Sequence, residues 1–329
     1  MAQDARDDPR VSAVPTLATV REAAARIAPY AARTPVFTSA TLDARAGARV
    51  FCKAENLQKT GAFKFRGAAN AVFSLDEATA VRGVATHSSG NHGAALALAA
   101  RLRGVRARVV MPDNAPAAKR AAVEGYGADI HPCRPGLAAR ERALAELVAS
   151  SGATPIHPYD DHAVIAGQGT AVLELLEACP DLDTVVVPVG GGGLLSGSAV
   201  AGKGLRPDLR VIGVEPSQAD DARRSLEAGR RIVVDAPETI ADGLRASLSE
   251  RTFAIIRSHV DDIVCVGEAD IVTAMRFVWE RMKLVIEPSA AVPVAALLGG
   301  LLPGQRIGIV LSGGNVDLDD ALALMRTAT

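Results

Sequence analysis

Two stretches of this chain hold residues whose types and spacing could do chemistry. In Val187-Pro188-Val189-Gly190-Gly191-Gly192-Gly193-Leu194, an apolar β-branched run leads into four consecutive glycines and then the helix-like start Leu194-Leu195-Ser196. Glycines leave no Cβ in the way of a ligand and permit positive φ. Their N–H groups, with a helix N-terminus behind them, can cradle a phosphate. A tight strand-to-helix turn uses the same residues. The spaced G-x-G-x-x-G pattern is absent, and no Gly-Lys-Ser or Gly-Lys-Thr closes the loop, so dinucleotide and nucleoside-triphosphate sites fit poorly. The second stretch, Lys59 to Gly67, joins a loop to a helix N-terminus and carries Lys64. The helix dipole disfavours an ammonium there, which makes the amine more available for imine chemistry. A solvated surface lysine is the ordinary alternative.

Three further segments carry polar groups. Ser88-Ser89-Gly90-Asn91-His92 follows a short apolar run and opens a helix, so it can cap that helix or fix a carboxylate. Ser312-Gly313-Gly314-Asn315 follows the last apolar run. Glu215 and Asp221 frame a Pro-Ser-Gln-Ala-Asp turn, where two carboxylates and an intervening carbonyl suit Mg²⁺, Ca²⁺ or Mn²⁺. No H-E-x-x-H pattern is present, so His87 and His92 are not expected to bind metal.

The elements that position these residues alternate. Strands are expected over 50–55, 83–86, 107–112, 128–131, 184–187, 211–215 and 306–311. Helices are expected over 16–32, 65–73, 93–103, 117–126, 137–151, 167–178, 270–283 and 289–299. Such alternation predicts parallel sheets with helices on both faces, and open α/β sheets bind ligands at the carboxyl ends of their strands. The polar-glycine segments lie at such ends and should converge on one crevice. We expect a disordered tail over 1–14, a large domain from 15–80 and 161–329, and a smaller substrate-side domain over 81–160.

Composition narrows the function class. At 329 residues with a net charge of −1 and 3% aromatics, the chain has neither the electrostatic footprint nor the stacking platforms of a nucleic-acid binder. Cys52, Cys133, Cys179 and Cys265 are scattered and form no C-x-x-C pair, as expected for reduced thiols. The charged first residues are no secretory signal, and no apolar run has membrane-spanning length, so a cytoplasmic protein is expected.

The ordered motifs KTGAFKFRGA, SSGNHGAALA, AVIAGQGT, VPVGGGGLLSG, GVEPSQADDA, WERMKLVIEPSAAV and LSGGNVDL together resemble fold type II pyridoxal-phosphate enzymes. The nearest likeness is to the serine and threonine dehydratases, a group that includes serine racemase. The resemblance runs from about residue 15 to the C-terminus. It implies two parallel-sheet α/β domains of tryptophan-synthase-β-like fold, with pyridoxal 5'-phosphate in the crevice between them. It further implies that Lys64 forms the internal Schiff base and that Phe63 lies against the pyridine ring. Gly190, Gly191, Gly192, Gly193 and Leu194 would bind the phosphate, Asn91 the ring hydroxyl, and Ser312 would face the pyridine nitrogen. A serine partner leaves that nitrogen largely neutral, which favours β-elimination over transamination. Ser88, Ser89, Asn91 and His92 would hold the substrate carboxylate, and Glu215, the Ala219 carbonyl and Asp221 a structural divalent cation.

The implied reaction is conversion of L-threonine or L-serine to a 2-keto acid and ammonia, with Lys64 removing the α-proton. Ser89 matches a position that delivers a proton from the opposite face, which would give racemisation. Serine racemisation, dehydration of 3-hydroxyaspartate, and a non-catalytic amino-acid-binding role are the alternatives. Two departures from the animal racemases tilt toward a dehydratase: Tyr159 stands where they have Asn, and Ala246 replaces a polar residue. Asp242, Gly243 and Arg245 match a substrate-side loop. The resemblance also implies a homodimer.

Overall fold

The computed structural model describes residues 14–88, 90–115 and 117–327. Its strands are β1 (Val36–Phe37), β2 (Arg49–Ala54), β3 (Val84–His87), β4 (Ala107–Pro112), β5 (Asp129–Cys133), β6 (Thr154–Pro155), β7 (Thr184–Pro188), β8 (Arg210–Pro216), β9 (Asp262–Val266) and β10 (Arg306–Leu311). They form a six-stranded sheet in the order β1-β2-β10-β7-β8-β9 and a four-stranded sheet in the order β5-β4-β3-β6. All pairings are parallel except β1 with β2. The chain is thus an α/β protein with two mostly parallel sheets, as expected.

The helices that bear on the site are α1 (Lys64–Phe73), α2 (Asn91–Arg103), α3 (Leu137–Ser151), α4 (His162–Ala178), α5 (Gly193–Leu205), α6 (Asp221–Ala228) and α7 (Pro288–Leu298). The unbroken apolar runs of the larger sheet follow from its burial on both faces. Alternate side chains of β7 enter opposite cores. Val186 packs with Ile307, Ile309 and the alanines and valines of α7. Val185 and Val187 pack with Leu195 of α5, Leu175 of α4 and Val310. In the smaller sheet Val84, Val109 and Met111 pack against the alanines of α2, and Phe65, Ala68 and Val72 of α1 join that core.

Several helix boundaries differ from the sequence reading. The first helix ends at Ile27 rather than at residue 32. Helix α4 begins at His162, because the Asp161 carboxylate accepts from the N–H groups of Ala163 and Val164 at 2.8 and 3.0 Å and caps it. The helix expected over 270–283 runs over Glu268–Phe277 and then widens into a π turn over Val278–Met282. Lys283 ends it at φ +60°. The four cysteines form no disulfide. Among the described residues no helix is long and apolar enough to cross a membrane.

Candidate active site

The carboxyl ends of β3, β7 and β10 deliver the three polar-glycine segments, and the end of β2 leads into the turn before α1. This turn is stitched to the segment after β10. Phe63 N–H donates to the Ser312 carbonyl at 3.0 Å, Gly314 N–H donates to the Gly61 carbonyl at 2.9 Å, and Ala62 bridges Gly313. Lys64, the first residue of α1, is thereby placed beside Ser312. Its Nζ donates to the Pro158 carbonyl at 2.8 Å and lies 5.1 Å from the Phe63 ring centroid. Burial pulls the Lys64 ammonium from 10.5 down to about 8, against the opposing pull of the Glu287 carboxylate.

The glycine loop is fully enclosed. Gly192 has φ +85° and is the residue from which α5 starts. A Cβ on Gly191 would stand 2.4 Å from the Tyr159 ring, and one on Gly190 2.8 Å from the Leu244 backbone. The sharp turn therefore needs glycine, and the loop keeps its amides bare of side chains.

Asn91 opens α2, with Gly90 before it. Its Nδ2 donates to both Glu287 oxygens, at 3.0 and 3.2 Å, and its Oδ1 accepts from Asn315 Nδ2 at 2.9 Å. Ser88 Oγ accepts from Gly90 N–H at 3.2 Å. His92 is buried, its Nε2 3.2 Å from the Ile156 carbonyl, and burial holds it well below its ordinary value. Ser312 is buried. Ser89 lies outside the described residues.

Glu287, immediately before α7, carries no role in the sequence analysis above. Burial and the nearby Asp242 carboxylate push it up to about 7, against the Asn91 hydrogen bond. The signal available was its place in WERMKLVIEPSAAV, where an acid ahead of Pro-Ser also reads as an ordinary helix start. Arg140 was missed as well. It occupies the first turn of α3, where the helix dipole disfavours a cation. Its Nε and His87 Nδ1 are both buried without a hydrogen-bond partner. Burial, and then the Arg140 charge, lower His87 to about 4. The His87 and His157 rings meet edge-on at 5.8 Å, and His157 meets Tyr159 at 4.6 Å. His157 is lowered to about 4 by burial, then by His87, with Lys64 adding to the effect. The three rings thus adjoin one another, with the Lys64 charge acting on His157 and the Arg140 charge on His87.

Glu215, Ala219 and Asp221 are buried together behind the loop after β8. The Glu215 oxygens accept from the N–H groups of Ala222 and Arg223 at 3.0 and 2.9 Å and anchor the start of α6. Asp221 accepts from Leu248 N–H at 3.1 Å. Burial raises both carboxyls, Asp221 to about 6, and Asp221 raises Glu215 further. Among the described residues no three His, Cys, Asp or Glu side chains are grouped to hold a metal.

The comparisons with known proteins agree with this geometry. Residues 27–313 match the family model described as pyridoxal-phosphate dependent enzyme. The chain belongs to the pyridoxal-phosphate-dependent enzymes of fold type II. It is 48% identical over 308 residues to the beta-hydroxyaspartate dehydratase of Paracoccus denitrificans, spanning 93% of this chain and 98% of that one. It is 48% identical over 309 residues to the serine racemase of Dictyostelium discoideum, spanning 92% of this chain and 95% of that one. The solved structure of maize serine racemase superposes with a TM-score of 0.92 at 45% identity, covering 96% of this chain and 98% of that one. The chain is therefore a member of a β-elimination and racemase family whose cofactor is pyridoxal phosphate.

Proposed function

We propose that this protein is a pyridoxal-phosphate-dependent ammonia-lyase that dehydrates β-hydroxy amino acids, with 3-hydroxyaspartate as the preferred substrate. The residues present fit the cofactor. The bare amides of Gly190 to Gly193, at the N-terminus of α5, suit a phosphate, and Lys64 with Phe63, Asn91 and Ser312 is gathered at the neighbouring strand ends. When bound, the cofactor withdraws electrons from the substrate α-carbon. Lys64 Nζ, with an ammonium that titrates at about 8, takes up and returns a proton near neutral pH. Ser88 and the N–H groups of Asn91 and His92 receive the α-carboxylate, since the first N–H groups of a helix have no carbonyl one turn back, whereas Gly93 N–H already donates to the Gly90 carbonyl.

The observation that carries the substrate choice is the pair of unpartnered buried atoms, Arg140 Nε and His87 Nδ1. A buried donor left unmade is costly, and a substrate carboxylate on the β-carbon would satisfy it. Serine and threonine have no such group. The named activity of the Paracoccus relative supports the same choice. The same reading gives a structural divalent cation to Glu215, the Ala219 carbonyl and Asp221. The burial of both carboxyls, and the further rise that Asp221 imposes on Glu215, support it.

Product analysis tests the proposal. The cofactor-loaded enzyme is incubated separately with L-threo-3-hydroxyaspartate, L-serine and L-threonine, and 2-keto acid, ammonia and D-enantiomer are measured. The expected result is one oxaloacetate and one ammonia per hydroxyaspartate consumed, with kcat/KM at least tenfold above that for serine. Dominant keto acid from threonine or serine would return the assignment to a threonine or serine dehydratase. Dominant D-serine would make it a racemase.

A further inference from the structure

Arg66 lies two residues after Lys64, and at 100° per residue the two side chains leave α1 on nearly opposite sides. Lys64 reaches the Pro158 carbonyl, and Arg66 faces the body of the protein, where it is completely buried. The guanidinium makes two forks. Nε and Nη2 donate to the Glu55 carboxylate at 2.7 and 2.9 Å, and Nη1 and Nη2 donate to the Glu174 carboxylate at 2.7 and 2.9 Å. Nη1 also reaches Thr170 Oγ1 at 3.2 Å. Lys53 Nζ bridges Glu174 Oε2 at 2.5 Å and the Thr34 carbonyl at 2.8 Å. Two cations and two anions balance, and the five guanidinium N–H groups all have acceptors. Glu55 follows β2 and Glu174 belongs to α4, so the network ties the back of α1 to a strand and a helix at once.

The start of α1 needs such a tie. Phe63, the residue before it, makes no capping side-chain bond, and the helix opens on a lysine that its dipole disfavours. Placing a side chain to within a fraction of an ångström calls for support from the groups behind it. The planar double fork can fix rotation of the helix, which a lysine at the same place cannot do.

We infer that Arg66 is the positioning residue of Lys64, holding α1 through Glu55 and Glu174 so that the amine meets the cofactor aldehyde above the glycine loop. This rests on the functional reading given above. It separates two events that a merely stabilising network would not separate. Phosphate capture belongs to the glycine loop. Condensation of the Lys64 amine with the aldehyde, which forms one C–N linkage and releases one water, belongs to the position of α1.

The test compares pyridoxine 5'-phosphate, which has no aldehyde, with pyridoxal 5'-phosphate on the cofactor-free full chain. In Arg66→Lys the dissociation constant for pyridoxine phosphate is expected to stay within twofold of wild type. The rate of pyridoxal phosphate attachment, followed by visible absorbance, is expected to fall at least tenfold. The double variant Lys53→Met with Glu174→Gln removes one fork and keeps charge balance, and should move the same readout in the same direction. Equal losses for both ligands, unchanged attachment in both variants, or failure of both to fold would make the network a structural element only and overturn the inference. If wild type captured neither compound, the functional reading would fall, and this inference with it.

Discussion

The Glu287 carboxylate acts on the Lys64 amine and holds its ammonium higher than burial alone would. Attachment of cofactor to the empty chain needs the neutral amine. Its rate should therefore rise with pH through about 8 in wild type, well below the ordinary lysine value. Glu287→Gln removes the supporting charge, so the midpoint should move below 8. A midpoint that stays in place would remove Glu287 from the electrostatics of Lys64. Lys64→Ala should abolish both turnover and the visible absorbance of attached cofactor.

Tyr159 and the glycine loop are in contact, and the contact sets a steric limit. A Cβ on Gly191 would lie 2.4–2.5 Å from three Tyr159 ring atoms. Gly191→Ala must therefore displace either the ring or the loop. We expect its affinity for cofactor to drop by roughly ten- to a hundredfold, on the order of 1–3 kcal/mol, as for overpacking elsewhere. Adding Tyr159→Ala should recover part of that loss, because neighbouring substitutions couple. Equilibrium binding of pyridoxine phosphate to the two single variants and the double variant measures the coupling. Additive losses would mean that the ring does not press on the loop.

Much of this site was legible because its parts are local. The glycine run, the lysine at a helix start and the strand-end serines each declare themselves within a few residues. The groups that tune them do not. Glu287 meets Asn91 across 196 residues of sequence, and the segment after β10 bonds to both, through the Gly313 carbonyl and Asn315. Arg140 is an ordinary helix residue until β3 and β4 place His87 near it. Strand β9, Asp-Ile-Val-Cys-Val, was not foreseen either. It is a short edge strand, paired only through β8, and its apolar run is broken by partly exposed positions. Lys53, Glu55 and Arg66 are buried charges that residue type alone does not reveal, since such residues are rarely buried unless paired.

A cation at Glu215 and Asp221 would have a pH signature. Asp221 titrates near 3.8 in the unfolded chain and near 6 in the folded one. The folded chain holds more protons in that window, so stability falls as pH rises from about 4 to about 6, and the penalty persists above it. Glu215 is shifted in the same direction. A divalent cation that replaces those protons should stabilise most above pH 6 and least near pH 4. Added Mg²⁺, Ca²⁺ or Mn²⁺ should raise the melting temperature of the chelator-treated chain by a few degrees at pH 8, about 2.7 kcal/mol at a hundredfold excess over Kd. The effect should be much smaller at pH 4.5, and Glu215→Gln should abolish it. No shift at pH 8 would leave Glu215 as the anchor of α6 alone.

On the proposed reading, Arg140 would discriminate a dicarboxylic from a neutral substrate. Its buried Nε has no partner, and the His87 ring beside it is held neutral by burial and by the Arg140 charge. A β-carboxylate would turn that deficit into a charge-assisted hydrogen bond, about 1.5–3 kcal/mol. Arg140→Ala should therefore lower kcat/KM for L-threo-3-hydroxyaspartate by roughly ten- to a hundredfold while changing that for L-serine by less than about threefold, since serine places no carboxylate there. The loss should fall mainly on KM, because the contact is made equally in the bound and reacting states. Arg140→Lys restores charge without the planar fork and should recover only part of the difference. A matching loss on both substrates would show that Arg140 supports the fold of the smaller sheet rather than reading the substrate.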